Sequence, residues 1–339
     1  MAKTVLITGI SGFIAKHTAL AFLNAGYAVR GTVRSITKGE AVRTTLAKHC
    51  DTSKLTLVEA DLLSDGGWDD AVEGVDGIAH LASPFPLAQP KDENELIRPA
   101  VEGTMRVLKL AVKHKVPRFV QTSSLVAVLE GYGDSHPQPF TEDDWSALDG
   151  PGITPYAKSK TLAERAARDF IAAEKPALHY STVNPGIVFG PALDEDVGSS
   201  AEVIGMLLKG AYPAIPRLYF YPVDVRDIAK MHVLAMETNQ PSGGRYIGAT
   251  DQLWYVEVSR TLKEHFGQAA RKAPSREMPD FLVKTVALFD KTARSIIHDL
   301  GRKKIVDNSR TRNALGIEFI PARDAAIATA KSLIDMKLV

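Results

Sequence analysis

Tyr156 and Lys160 stand four residues apart in the stretch Pro155-Tyr-Ala-Lys-Ser-Lys160. On a helix that spacing puts both side chains on one face, with Cβ atoms roughly 5–6 Å apart. A neighbouring ammonium stabilises a phenolate and lowers a pKa that starts near ~10. Such a tyrosine exchanges a proton with a substrate oxygen near neutral pH. The same spacing also occurs on solvated helix faces, so the pair gains weight only from its surroundings. Thr154-Pro155 suits a helix start, with Thr154 as N-cap and proline in the first turn. Tyr156 then lies near the amino end of that helix, where the dipole favours an anion.

A second chemical signal lies at the start of the chain. Lys3-Thr-Val-Leu-Ile-Thr8 is a short apolar, β-branched run and predicts a buried strand. Gly9-Ile-Ser11-Gly12-Phe13-Ile14-Ala15 follows at once, and a helical pattern runs from Phe13 to Ala25. Strand, glycine turn and helix start together form a phosphate cradle for a dinucleotide. Gly9 permits the tight turn, Gly12 lets the backbone approach a pyrophosphate, and Ala15 is small enough for the helix to lie close. Ser11, Phe13 and Ile14 complete the candidate cofactor contacts of the turn. The next strand, about Tyr27 to Val33, is followed by Arg34-Ser-Ile-Thr-Lys38, with no carboxylate before Glu40. An acid there would bond the ribose hydroxyl of NAD. Arg34 instead offers a forked contact to a 2′-phosphate and Lys38 a point charge, which predicts NADP(H).

The elements that position these residues recur along the chain. Further strands are predicted at Leu55–Glu59, Val75–Leu81, Arg118–Thr122 and Tyr180–Val183, and near Arg245–Ile247. Helical patterns fall near Ala41–Lys48, Glu93–His114 and Pro155–Ala173. This alternation predicts an α/β fold with a doubly wound parallel Rossmann sheet, ligands binding beyond the carboxyl ends of the strands. Beyond Pro185 the sequence becomes rich in Pro and Gly, with helices expected near Glu202–Leu208, Asp227–Glu237, Val256–Phe266, Pro279–Thr292 and Asp324–Met336. We expect residues 1–184, joined by 224–248, to form the dinucleotide-binding domain. Residues 185–223 and 249–339 are expected to form a smaller, partly interleaved carboxyl-terminal substrate lobe.

With 339 residues and a formal net charge of +1, the chain has ample core and no electrostatic footprint for nucleic acid. Its one cysteine, Cys50, allows no intramolecular disulfide. The first strand leaves no room for a signal peptide, and no run of about 18 apolar residues predicts a membrane span. The histidines show no metal-binding spacing, so no metal is expected. These features suit a cytoplasmic protein without membrane or nucleic-acid partners.

As a set, in order, several segments resemble the extended short-chain dehydrogenase/reductase family. They are Thr8-Gly-Ile-Ser-Gly-Phe-Ile-Ala15, Asp61-Leu62, His80-Leu-Ala-Ser-Pro84, Phe119-Val-Gln-Thr-Ser-Ser124, Tyr156-Ala-Lys-Ser-Lys160 and Asn184-Pro-Gly-Ile-Val-Phe-Gly-Pro191. Within the family the chain is most similar to the dihydroflavonol reductase/cinnamoyl-CoA reductase branch and its yeast-type carbonyl (methylglyoxal, isovaleraldehyde) reductases. Ala15 in place of a third glycine, Arg30-Gly-Thr-Val-Arg34, and Ala100 where sugar epimerases usually carry asparagine point to that branch. The resemblance implies that Ser124, Tyr156 and Lys160 are catalytic, with Ser123 the near alternative to Ser124. It implies adenine contacts at Asp61 and Leu62, a cofactor path along Ala82 and Ser83, and nicotinamide packing against Pro185, Ile187 and Val188.

The implied reaction is NADPH-dependent reduction of a neutral aldehyde or ketone, with Tyr156 as proton donor. Ser124 and Tyr156 would donate to the carbonyl oxygen as charge develops on it. Lys160 would hold the phenol's pKa low and bond the nicotinamide ribose. Candidate substrate contacts are Phe85, Leu125 and Val126. Ile204, Leu207, Leu208 and Tyr219-Phe-Tyr221 suggest further apolar walls or else belong to the core of the small lobe, and Arg217 is a candidate carboxylate clamp unless it is simply solvated. Other readings are a nucleotide-sugar epimerase or dehydratase, a steroid dehydrogenase, and a non-catalytic NADP-binding sensor. The family occurs as monomers and as homodimers, so either state is expected.

Overall fold

The computed structural model describes residues 2–83, 92–133 and 138–339. Six strands come first: β1 (Thr4–Thr8), β2 (Ala28–Val33), β3 (Leu55–Glu59), β4 (Gly77–His80), β5 (Arg118–Thr122) and β6 (His179–Pro185). A seventh, Gly244–Gly248, pairs with β6, and every pairing in the sheet is parallel. The order is seventh strand, β6, β5, β4, β1, β2, β3. Chain direction across the sheet reverses between β1 and β4, and that switch point opens a crevice at the carboxyl ends.

The strands are apolar on both faces because helices cover both. Leu6 points to one side, where Trp68, Ile78, Val107, Phe119 and Tyr180 form a core. Val5 and Ile7 point to the other, against Phe22, Val29, Ile228 and Met231. The alternation is the period of two that a pleated strand imposes. On the first side pack α3 (Trp68–Val72), α4 (Asn94–Lys113) and α5 (Pro155–Glu174); on the second pack α1 (Phe13–Asn24) and α7 (Val225–Glu237).

Helix α2 spans Ile36–Leu46, starting earlier than its apolar periodicity predicts, so Lys38 falls in its first turn. A third core gathers Phe189, Ile204, Leu207 and Leu208 with residues of α8 (Tyr255–Phe266) and of the last helix, Ala322–Asp335. Ile204, Leu207 and Leu208 belong to α6 (Ser199–Lys209). The single helix expected over Pro279–Thr292 is two helices, Asp280–Val286 and Lys291–Ser295. Asp290 divides them: its carboxylate accepts from the Ala293 N–H at 2.7 Å and caps a new start. Among the described residues no helix is long and apolar enough to cross a membrane.

Candidate active site

Gly9 adopts φ +65°, and a Cβ there would stand 3.0 Å from the Cβ of Ala82. The turn is therefore closed to other residues by both conformation and space. Thr8 Oγ1 accepts from the N–H groups of Leu81 (3.0 Å) and Ala82 (2.9 Å), which locks the ends of β1 and β4 together. Gly9 N–H donates to Thr32 Oγ1 at 2.9 Å, tying the turn to β2. Beyond it α1 presents its first N–H groups, and Ala15 is buried against the sheet.

A cavity of about 260 Å³ starts at this turn and ends at α5. Gly9, Gly12, Phe13 and Ile14 line one end; Ser83, Ser124, Tyr156, Lys160, Pro185 and Val188 line the rest. Ala82 backs the turn, while Ser11 is exposed on it. Arg34, Lys38, Asp61 and Leu62 lie outside the cavity. Arg34 and Lys38 are exposed beyond β2, and Asp61 follows β3, so they continue along the strand ends in the order β1, β2, β3. Among the described residues Arg34 makes no hydrogen bond or ion pair. Asp61 is anchored locally through one carboxylate oxygen, Oδ1, which accepts from Leu63 N–H at 2.9 Å, and through its carbonyl, which accepts from Trp68 Nε1 at 2.8 Å.

At the other end Thr154 Oγ1 accepts from Ala157 N–H at 3.1 Å, and Pro155 occupies the first turn of α5. The Lys160 ammonium lies 5.9 Å from the centre of the Tyr156 ring. Burial pushes Lys160 down to about 8. Burial also pushes the Tyr156 phenol above its ordinary value, against a hydrogen bond with Ser124 that pulls it down. The expected lowering of the phenol does not appear in the free protein: burial is the leading cause, and the opposing contribution comes from Ser124 rather than from Lys160. The phenol is held protonated there.

The two serines divide cleanly. Ser123 Oγ donates to Glu164 Oε2 at 2.6 Å and is consumed. Both serines line the cavity, but Ser124 Oγ makes only a long contact, 3.5 Å, to the Pro185 carbonyl. His80 was not anticipated. Thr8 Oγ1 already accepts two N–H groups, so its own hydrogen goes to His80 Nδ1 at 3.0 Å. Burial, helped by the Lys160 ammonium, lowers His80 to about 3 and keeps it neutral.

A second cavity of about 510 Å³ shares Ser124, Tyr156, Pro185 and Gly186 with the first. Leu125, Val126 and Ile187 line it, with Tyr219, Phe220 and Tyr221. Phe85 lies outside the described residues. Ile204, Leu207 and Leu208 are not cavity walls; they form a stripe on α6 packed into core. Arg217 is no free clamp, since its Nη2 and Nε meet the two Asp280 oxygens at 2.7 and 3.2 Å. The far wall is polar, which residue type alone did not reveal. There Lys304 Nζ bridges Glu130 (3.1 Å) and Asp299 (2.9 Å).

Residues 5–247 match the profile of the NAD dependent epimerase/dehydratase family. The chain belongs to this family. It is one of the extended short-chain dehydrogenases/reductases. A ketoreductase of Aspergillus niger is 31% identical over 94% of this chain and 94% of its own. A cinnamoyl-CoA reductase of Medicago truncatula is 31% identical over 99% and 97%. The crystal structure of yeast methylglyoxal/isovaleraldehyde reductase complexed with NADPH superposes with a TM-score of 0.83 at 26% identity, covering 98% of this chain and 99% of that one.

Proposed function

We propose that the protein is an NADP-dependent oxidoreductase that reduces aldehydes or ketones to alcohols. One observation carries the reading: Ser124, Tyr156 and Lys160 converge in a cavity whose other end is the Gly9 cradle, where a Cβ would stand 3.0 Å from Ala82. A backbone so bare fits a pyrophosphate. Arg34, exposed and without a protein partner among the described residues, fits a 2′-phosphate, with Lys38 beside it on α2. The similarity to a ketoreductase and to an NADPH-bound reductase supports the same assignment.

NADPH, when bound, supplies the hydride that reaches the carbonyl carbon. The chain's own residues do the remainder. Ser124 and Tyr156 donate hydrogen bonds to the carbonyl oxygen, and donors aimed where charge develops carry much of the catalytic effect. Tyr156 starts protonated because it is desolvated, so it holds the proton that the product alcohol requires. Its loss leaves a phenolate, which Lys160 as a cation stabilises from one helical turn away. Asp61, Leu62, Ala82, Ser83, Pro185, Ile187 and Val188 are read as further cofactor contacts. Substrate enters from the second cavity, between Leu125, Val126 and the Tyr219–Tyr221 aromatics.

The test is consumption of NADPH, followed by absorbance, with aldehydes, α-keto esters, diketones and flavanonols offered separately. At least one carbonyl class is reduced in a 1:1 ratio with cofactor. Co-purified NAD and no reduction of any carbonyl would instead favour a sugar epimerase or dehydratase.

A further inference from the structure

The i, i+4 stripe that begins with Tyr156 and Lys160 continues along α5 through Glu164 and Arg168. Glu164 is fully buried, and its two oxygens face different surroundings. Oε1 accepts from Arg245 Nε (2.7 Å) and Arg168 Nε (3.0 Å). Oε2 accepts from Ser123 Oγ (2.6 Å) and Asn184 Nδ2 (2.9 Å). Asn184 Nδ2 also reaches the Ser124 carbonyl at 3.3 Å, while Thr182 Oγ1 fixes the amide by donating to Asn184 Oδ1 at 2.9 Å. Buried ion pairs are a weak source of net stability. A carboxylate whose lone pairs are filled from fixed directions is a strong source of position. This one joins the helix that carries the phenol and the ammonium to the backbone that carries the hydroxyl.

We infer that Glu164 is a positioning residue: through Asn184 and Ser123 it sets where the Ser124 hydroxyl stands relative to the Tyr156 phenol. The inference rests on the reductase reading above. A misplacement of ~1 Å in a reacting constellation can cost ~10²-fold in rate, so the link is large enough to measure.

Variants on the two sides of the carboxylate separate position from stability. Asn184→Ala cuts the path to Ser124 and keeps the ion pairs of Glu164. Arg168→Met removes a cation from the Oε1 side and a donor to Thr182 Oγ1 (2.9 Å), and keeps the bonds of Ser123 and Asn184 to Oε2 and of Asn184 to the Ser124 carbonyl. The expected result for Asn184→Ala is a kcat lower by ~10- to 100-fold, with NADPH affinity by fluorescence unchanged. Arg168→Met is expected to lower Tm while kcat stays within about twofold. Glu164→Gln, if it folds, loses as much kcat as Asn184→Ala, and the double variant loses no more than the worse single one. A readout without turnover is the Tyr156 titration, taken as the phenolate absorbance lost in Tyr156→Phe. It moves to higher pH in Asn184→Ala, because the hydrogen bond from Ser124 is disturbed. Unchanged kcat in Asn184→Ala, kcat losses that simply follow Tm across all variants, or an unmoved Tyr156 titration would each overturn the inference. If wild-type protein reduces no carbonyl, the reductase reading fails on its own, and the titration still reports whether Glu164 places Ser124.

Discussion

Acidification from pH 7 to pH 5 should destabilise this fold by about 5 kcal/mol. Three imidazoles are buried and neutral: His17 is lowered to about 4, His80 to about 3 and His232 to about 4. Desolvation is the leading cause in each. All three are under a tenth exposed, so solvent screening takes little from the effect. Burial holds them neutral, and at His17 and His232 it does so against bonds to the Pro191 and Ile228 carbonyls, 2.8 Å each, that favour the charged form. The unfolded chain binds these protons near 6.5 and the folded chain does not. Their contribution is therefore fully present above pH ~6.5 and is lost as the pH falls toward 4. At pH 5 that is about 2 kcal/mol for each imidazole. Asp227 works the other way. It is raised to about 6 by burial, so at pH 5 the folded state holds a proton that the unfolded chain has released. That returns about 1 kcal/mol. Urea unfolding at constant ionic strength measures the difference, and His80→Gln should remove about two fifths of it. A midpoint at pH 5 equal to or above that at pH 7 would refute the reasoning.

Three other outcomes follow from the site. Arg34→Glu should weaken NADPH binding by ~10- to 100-fold and leave NADH nearly untouched, measured as the ratio of their dissociation constants. Gly9→Ala forces a side chain into φ +65° and against Ala82, so cofactor binding measured by titration should vanish at an added fold cost of ~1–2 kcal/mol. Lys160 is lowered to about 8, so the pH profile of kcat/KM for reduction should fall as the pH rises past that value and the ammonium is lost; a profile flat from pH 6 to 10 would remove Lys160 from the mechanism.

The sheet was readable because parallel strands buried on both faces must be continuous apolar, β-branched runs. β1 meets that demand and the other six strands carry apolar or β-branched residues among polar ones, while the Gly9 turn and the Tyr156–Lys160 spacing sit on local geometry that residue order specifies. Contacts between distant segments were not readable. Glu130 and Lys304 are 174 positions apart, and nothing local marks either as a wall of the second cavity. Glu164 carried a faint signal, since it continues the spacing of Tyr156 and Lys160, yet its partners Arg245 and Asn184 come from other strands. Residue type cannot separate an apolar wall from an apolar core, which is why Ile204, Leu207 and Leu208 admit either reading by sequence and lie in packing. The phenol's pKa went the opposite way from expectation because the sequence shows the adjacent charge and hides the depth of burial.

The Tyr156 hydroxyl is the atom on which the account depends, and Tyr156→Phe removes little else. Single-turnover reduction of a carbonyl substrate, with NADPH binding measured in the same preparation, tests it directly. The account predicts a rate lower by at least ~10² with cofactor affinity preserved. A variant that binds NADPH and reduces the carbonyl at the wild-type rate would contradict it.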